Sequence, residues 1–400
     1  MLIGVVGKSN VGKSTFFKAS TLANVEIANY PFVTIKPNQG MGFVKMPDPA
    51  REFGKTSNPR EGFVLGKWRF APIEMIDVAG LVPGAHEGKG MGNQFLDDLR
   101  QAHALIHVID ASGMTNENGE PLATPSYNPA NDVLFLEDEL DYWYLGILNR
   151  GWERFARTVQ QEHTHIAKAL GKQLSGLGVD EEMVNKVITK LGLPVERPME
   201  WREKDLLSIA QELRIKTKRM IIAANKIDTK SGMQNYERLV KEFPDRIILP
   251  CSAESELALK EAAKHGLIDY VPGEKDFKIT DETKLSEGQR KALDFIKENV
   301  LQSSEYGTGV QAILNAAAFK LLKMIAIFPG GVGKLEDSKG NVIPDCFLMK
   351  DGSTALDFAF KLHTDFGNNF IRAIDVKTKR TVGKDHLLKD GDIVEIVSGK

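Results

Sequence analysis

Eight residues, Gly7-Lys8-Ser9-Asn10-Val11-Gly12-Lys13-Ser14, carry chemistry in their spacing. Glycines let a backbone curl until several N–H groups converge, and converging N–H groups bind phosphate oxygens. Lys13 is then placed to reach the terminal phosphates, and Ser14 offers a hydroxyl to Mg²⁺. Gly7, Asn10, Val11, Gly12, Lys13, Ser14 and Thr15, with the distant Gly80, form the expected phosphate-binding set. The strand-like run LIGVV precedes this loop and the helically spaced TFFKASTLA follows it, which is the context such a loop needs.

Asp77 ends an apolar run, Phe70–Ile76, and opens a DxxG spacing with Gly80. A carboxylate there suits a hard, oxygen-seeking cation, held through water. Thr34, in YPFVTIKPN, lies between the two motifs and is expected to ligate the ion only while a terminal phosphate is present. Ser14, Thr34 and Asp77 are thus the expected Mg²⁺ ligands.

A third cluster selects a base. IIAANKID is a strand followed by Asn225, Lys226 and Asp228. The Asp228 carboxylate can accept two hydrogen bonds from guanine, at N1–H and the exocyclic amine, whereas adenine presents a lone pair and no amine. The stem of Lys226 is expected to cover the base. Ser252, Ala253 and Glu254, after the next strand, form a loop expected to meet guanine O6. The ligand expected is GTP, with ATP as the alternative.

The residue after Gly80 is Leu81, which cannot orient a water by hydrogen bonding. Three replacements stand open. Asn10 stands where the K⁺-dependent GTPases, which this loop resembles, give an oxygen to K⁺; its competing explanation is an asparagine chosen for a tight turn. His107, in LIHVIDAS, or His86, in the glycine-rich loop after DxxG, is a second source; a buried strand histidine is more often plain core. A partner that completes the site is the third.

These residues must be held by an α/β framework. Apolar runs at Ala104–Ile109, Met220–Ala224 and Ile247–Leu249 join the first two, predicting a P-loop fold with a mostly parallel sheet covered by helices. From 128 to 216 the strand pattern stops. DVLFLEDELDYWYLGILNRGWERFARTVQQEHTHIAKALGKQL reads as two long helices meeting near Gly151, with Arg150, Arg154 and Arg157 on one helix face. From 322 to 400, short β-type runs separated by DSKGN, KDGS and LKDGD, with one helix near Thr354–His363, predict a small α+β domain. The expected division is 1–127 with 217–321, then the helical insertion 128–216, then 322–400.

The 400 residues are 42% hydrophobic and 26% charged, with a formal net charge of −2. Whole-chain electrostatics therefore predict no DNA partner; any nucleic-acid surface must be a local patch such as Lys377, Lys379, Arg380 and Lys384. Cys251 and Cys346 have no metal-type spacing, which suits a reducing cytoplasm. No membrane-length apolar run and no signal peptide are seen. A monomer is expected.

Taken together, GKSNVGKSTFFKA, NYPFVTIKPNQG, DVAGLVPGAHEGKGMGNQFLDDLRQA and LIHVIDAS resemble the Obg-related GTPases, and most closely the YchF branch, the Obg-like ATPases. The tail, FLMKDGSTALDFAFKLHTDFGNNFIRAI with LKDGDIVEI, is similar to a TGS domain, a ubiquitin-like fold. The resemblance implies a coiled-coil-like helical insertion in a P-loop G domain, and ribosome or rRNA binding. It also implies that many members prefer ATP, having lost the terminal aspartate of the base motif. This sequence keeps Asp228, so GTP remains the expectation.

Overall fold

Short β-rich runs bounded by turn residues become strands wherever both faces find cover. The computed structural model describes residues 1–22, 38–78 and 99–399. The chain packs as two units, Met1–Phe17 with Met75–Glu254, and Lys18–Glu74 with Ser255–Lys400.

In the first unit, strands β1 (Leu2–Val6), β5 (Ala104–Asp110), β6 (Arg219–Asn225) and β7 (Ile248–Cys251) lie in that order and run parallel. The register places Val6 opposite His107, Asp110 opposite Asn225, and Asn225 opposite Cys251. Their carboxyl ends therefore align along one rim, where open α/β sheets bind ligands. Strand β4 (Trp68–Asp77) lies beside β1, and Val78 N–H donates to Val5 O at 3.0 Å. That bond brings Asp77 to the same rim.

The span 128–216 holds helices and no strand among the described residues. Helix Ala130–Asn149 is buried nearly all round because it packs against Glu203–Thr217 and the core that holds Leu136, Leu140, Tyr144, Leu206, Ile209 and Leu213. Gly151, at φ 74, ends it and starts Trp152–Gln161. The expected second long helix is in fact two: the chain breaks at 162–165, where His163 takes φ 52, before Ile166–Gln173 begins. Arg150 falls in the turn before the helix, so only Arg154 and Arg157 share the exposed helix face.

The second unit contains β2 (Gln39–Pro47), an edge strand that the apolar pattern does not announce, and β3 (Phe63–Leu65), antiparallel to β4. An unpaired edge invites strand addition. Here Asn315 accepts from Lys45 N–H and donates to Lys45 O, both at 2.9 Å, and Gln311 donates to Phe43 O at 2.9 Å. Two amides one helical turn apart thus stand in for a missing strand.

The tail is a five-stranded sheet, ordered Phe347–Lys350, Met324–Pro329, Ile393–Ser398, Phe370–Asp375 and Arg380–Val382. Helix Ala355–Leu362 covers one face through Phe358. Its expected start is Thr354, which closes a capping box with Asp357.

Candidate functional site

At the rim, β1 runs into the phosphate loop. Gly7 takes φ +154, and a Cβ there would stand 2.4 Å from Val108 O. Gly12 takes φ +91, and its Cβ would stand 2.3 Å from Asn225 Nδ2. Backbone handedness and close approach both require glycine at Gly12. Asn10 is left-handed too, at φ 62, a conformation asparagine tolerates. Val11 is buried. Helix Lys13–Thr21 starts directly, with Phe16 N–H on Gly12 O at 2.8 Å; Thr15 lies half-buried in its first turn.

The three polar groups expected at the phosphates and metal come together. Lys13 Nζ donates to Asp77 Oδ1 at 3.0 Å and to Val78 O at 2.7 Å. Ser14 Oγ donates to Asp77 Oδ2 at 3.1 Å. A hydroxyl and a carboxylate oxygen side by side are hard donors that fit Mg²⁺, which takes one or two protein ligands and completes its shell with water and phosphate. Among the described residues no group of three or more His, Cys, Asp or Glu side chains competes for a metal. Thr34, Gly80, Leu81 and His86 lie outside the described residues.

Around the expected base site the side chains divide. Asn225 is committed to structure: Nδ2 donates to Val11 O at 2.8 Å, and Oδ1 accepts from Ala253 N–H at 3.0 Å and from Cys251 Sγ at 3.6 Å. It ties the phosphate loop to the loop after β7. Lys226, at φ 67, reaches back to Asn10 O at 3.1 Å and Asp110 Oδ2 at 2.8 Å. Asp228 is half-buried and makes no hydrogen bond or ion pair among the described residues. Ser252 and Ala253 are buried, while Glu254 is exposed.

Asp110 escaped the sequence reading, although it ends a strand of the sheet. It is buried and accepts from Ser112 N–H at 3.0 Å, Thr115 Oγ1 at 3.0 Å and Lys226 Nζ at 2.8 Å. The turn it organises leads to Gly119, whose carbonyl accepts from Asn10 Nδ2 at 2.8 Å. Aspartate at a β-strand's carboxyl end was the available signal.

His107 sits in the middle of the sheet, buried, with Nδ1 lacking a hydrogen-bond partner among the described residues. Burial, reinforced by the charge of Lys8, lowers its pKa to about 3. The imidazole is therefore neutral in the folded chain, and it takes no part in the hydrogen bonds of the rim just described. The unfolded chain binds this proton below about pH 6.5 and the native chain does not, so stability falls as pH drops through that window toward 3. Between pH 6.5 and 5 the group contributes a loss of about 2 kcal/mol. Denaturant midpoints of wild type and His107→Leu across that range check this. The variant should show the shallower dependence, and equal slopes would refute it.

Of the tail's basic cluster, Lys377 pairs with Glu52 at 2.6 Å. Lys379, Arg380 and Lys384 are exposed and make no ion pair among the described residues.

A glycine loop between strand and helix, a lysine and serine meeting an aspartate, and a second loop tied to the first by Asn225 define a P-loop nucleotide-binding protein. Three family models match the chain: a 50S ribosome-binding GTPase over residues 2–134, an Obg-like, YGR210-like G4-motif domain over 223–331, and a TGS domain over 337–398. An uncharacterised GTP-binding protein of Methanocaldococcus jannaschii is 51% identical over 398 residues, 99% of either chain. The crystal structure of a GTP-binding protein from Pyrococcus horikoshii matches with TM-score 0.77 and 41% identity, covering 100% of both chains. The ribosome-binding ATPase YchF of Escherichia coli is 28% identical, covering 98% of each. The chain belongs to the Obg-like P-loop GTP-binding proteins, with the YchF proteins among its relatives, and carries a C-terminal TGS domain.

Proposed function

We propose that this chain is a Mg²⁺-dependent GTPase that alternates between nucleotide states on the ribosome. Asp228 carries the guanine reading. Its neighbours Asn225 and Lys226 are held by the phosphate loop, while its carboxylate keeps its acceptors free. Two hydrogen bonds from guanine to an ionised acceptor are each worth about 1.5–3 kcal/mol.

Ser14 and Asp77, with Thr34, would hold the Mg²⁺, which when bound neutralises charge on the phosphates. Lys13 adds a second positive charge, positioned by Asp77 and Val78 O. In place of a water-orienting residue at Leu81, K⁺ on Asn10 would offset the charge that develops on the phosphates; the amide nitrogen of Asn10 donates to Gly119 O at 2.8 Å, so the amide oxygen is the atom that would ligate the ion. His86, His107 and a ribosomal partner are the other sources. Ribosome action is inferred from the likeness to the ribosome-binding ATPase of Escherichia coli, and an rRNA contact is assigned to Lys379, Arg380 and Lys384. We retain the three-part domain division 1–127 with 217–321, 128–216 and 322–400, a monomeric state and a cytoplasmic location.

The test is titration of GTP and ATP into wild type and Asp228→Ala, with hydrolysis in K⁺ and in Na⁺. GTP should bind wild type more tightly than ATP. The variant should lose about 100- to 10,000-fold in GTP affinity and little in ATP affinity, and K⁺ should raise the rate. Tighter ATP binding by wild type would establish instead an ATP-preferring member, the activity in the bacterial relative's name. Equal rates in the two salts would remove K⁺. Hydrolysis without any effect on ribosome binding would favour a nucleotide-gated binding module.

A further inference from the structure

Lys8 stands inside the phosphate loop yet is only 4% exposed, because its side chain is enclosed by Thr115, Tyr127 and Asp132. Nζ donates to Asp132 Oδ1 at 2.9 Å and to Thr115 O at 3.3 Å, and it lies 3.9 Å from the centroid of the Tyr127 ring. Tyr127 OH donates to the same Asp132 oxygen at 2.8 Å. Asp132 is in the first turn of helix Ala130–Asn149, the longest helix of the insertion, where a negative charge is favoured. Its other oxygen, Oδ2, is buried without a hydrogen-bond partner among the described residues. This arrangement is costly: a buried ion pair is often no better than an apolar pair of the same size, and an unsatisfied oxygen makes it worse. Stability alone therefore does not account for Lys8.

Two further contacts run the same way. Asn10 Nδ2 donates to Gly119 O at 2.8 Å. A Cβ on Gly119 would stand 2.5 Å from Ser9 O. The segment from Asp110 to Asp132 thus touches three consecutive residues of the phosphate loop, Lys8, Ser9 and Asn10, before it becomes the long helix.

We infer that Lys8 and Asp132 are positioning residues that wire the phosphate loop to helix Ala130–Asn149, so that displacing the helix loosens bound nucleotide and bound nucleotide steadies the helix. Such coupling is reciprocal by linkage. A partner that pulls on the insertion would speed nucleotide release without touching the nucleotide. The inference rests on nucleotide binding and not on the choice of base.

The experiment measures release of fluorescent GDP and fluorescent ADP from wild type, Lys8→Met, Asp132→Asn and the double variant, each with its melting temperature. Hydrogen exchange of residues 130–136 is followed with and without nucleotide. Each single variant should release nucleotide roughly tenfold faster, and the double variant no faster than the worse single one, because both lose one shared interaction. Nucleotide should slow exchange at 130–136 in wild type and not in the double variant. Release rates within about twofold of wild type, with only the melting temperature lowered, would make the pair structural and overturn the inference. If a single variant fails to fold, the exchange measurement on wild type decides alone: no protection by nucleotide overturns it. The ADP arm gives the same reading if the protein prefers adenine, so failure of the guanine assignment is seen separately.

Discussion

Gly12→Ala should lower nucleotide affinity by about 100- to 1,000-fold. The methyl group would stand 2.3 Å from Asn225 Nδ2, at a backbone φ of +91 that L-residues resist. Holding alanine there costs about 1–3 kcal/mol. Moving Asn225 aside costs more, because its amide bridges Val11 O and Ala253 N–H, and each buried group left unpaired costs about 1–3 kcal/mol. Together these reach about 3–4 kcal/mol, and each 1.4 kcal/mol is tenfold in affinity. The damage also reaches both ends of the site, since the phosphate loop and the loop after β7 share that one side chain. Gly54→Ala is the control: φ is +67 there, with nothing within 4 Å of the added Cβ. It carries the backbone strain without the collision. Fluorescent-nucleotide titration of both variants, each checked for folding by its melting transition, should show a large loss for the first and little change for the second. Equal affinities in the two variants would mean that Asn225 does not set the loop.

Local chemistry made the phosphate loop legible. A curled backbone needs glycines at fixed spacing, and the lysine and serine follow within two residues. The strands were legible for a similar reason, since β1, β4, β5, β6 and β7 each coincide with an apolar run to within two residues or so. β2 was not: its sequence QGMGFVKMP carries two glycines, and its edge is completed by Gln311 and Asn315, more than 260 residues away. The break at 162–165 was hidden because the left-handed residue is His163 and not glycine. Arg150 was misplaced by a single residue, since Gly151 restarts the helix just beyond it.

The site shows the same division. Motif spacing identifies Asn225 and Lys226 but not their partners, and the structure spends both side chains on holding the phosphate loop. Asp110, Lys8 and Asp132 occupy no position whose residue type a motif fixes. Their meaning lies in contacts across 116 and 124 residues, which no one-dimensional pattern reveals. The loop pattern leaves the residue at Lys8 open, and only its burial against Asp132 shows what it does.

Loss of Arg214 should be the largest single blow to the stability of the first unit. Helix Glu203–Thr217 faces helix Ala130–Asn149 across an apolar interface. Arg214 spans it with a two-point bond to Asp141, at 2.7 Å from Nε and 3.2 Å from Nη2. Both side chains are nearly excluded from solvent, at 7% and 6% exposure. Glu137, one turn earlier, lies 3.8 Å from the same guanidinium and is itself held by Arg246 at 2.7 and 2.9 Å. Arg214→Met fills the volume but strands Asp141 beside Glu137 with no counter-charge. Breaking a buried pair from one side costs about 3–5 kcal/mol, a large share of a typical domain's stability. The double variant Arg214→Met/Asp141→Leu removes both charges and should recover most of the loss, while Glu137 keeps Arg246. Denaturant midpoints at unchanged slope measure this, and a double variant as weak as the single one would show that shape, not charge, is at stake. Recovery would raise a sharper point. Leu136, Leu140, Tyr144 and Leu148 present apolar surface at every turn, so a slip of the helices by one turn would bury a similar area. Arg214 can meet Asp141 in only one register, and the pair therefore selects an alignment that apolar packing leaves open. Because the same helix carries Asp132 in its first turn, that alignment also fixes where Lys8, and with it the phosphate loop, is anchored.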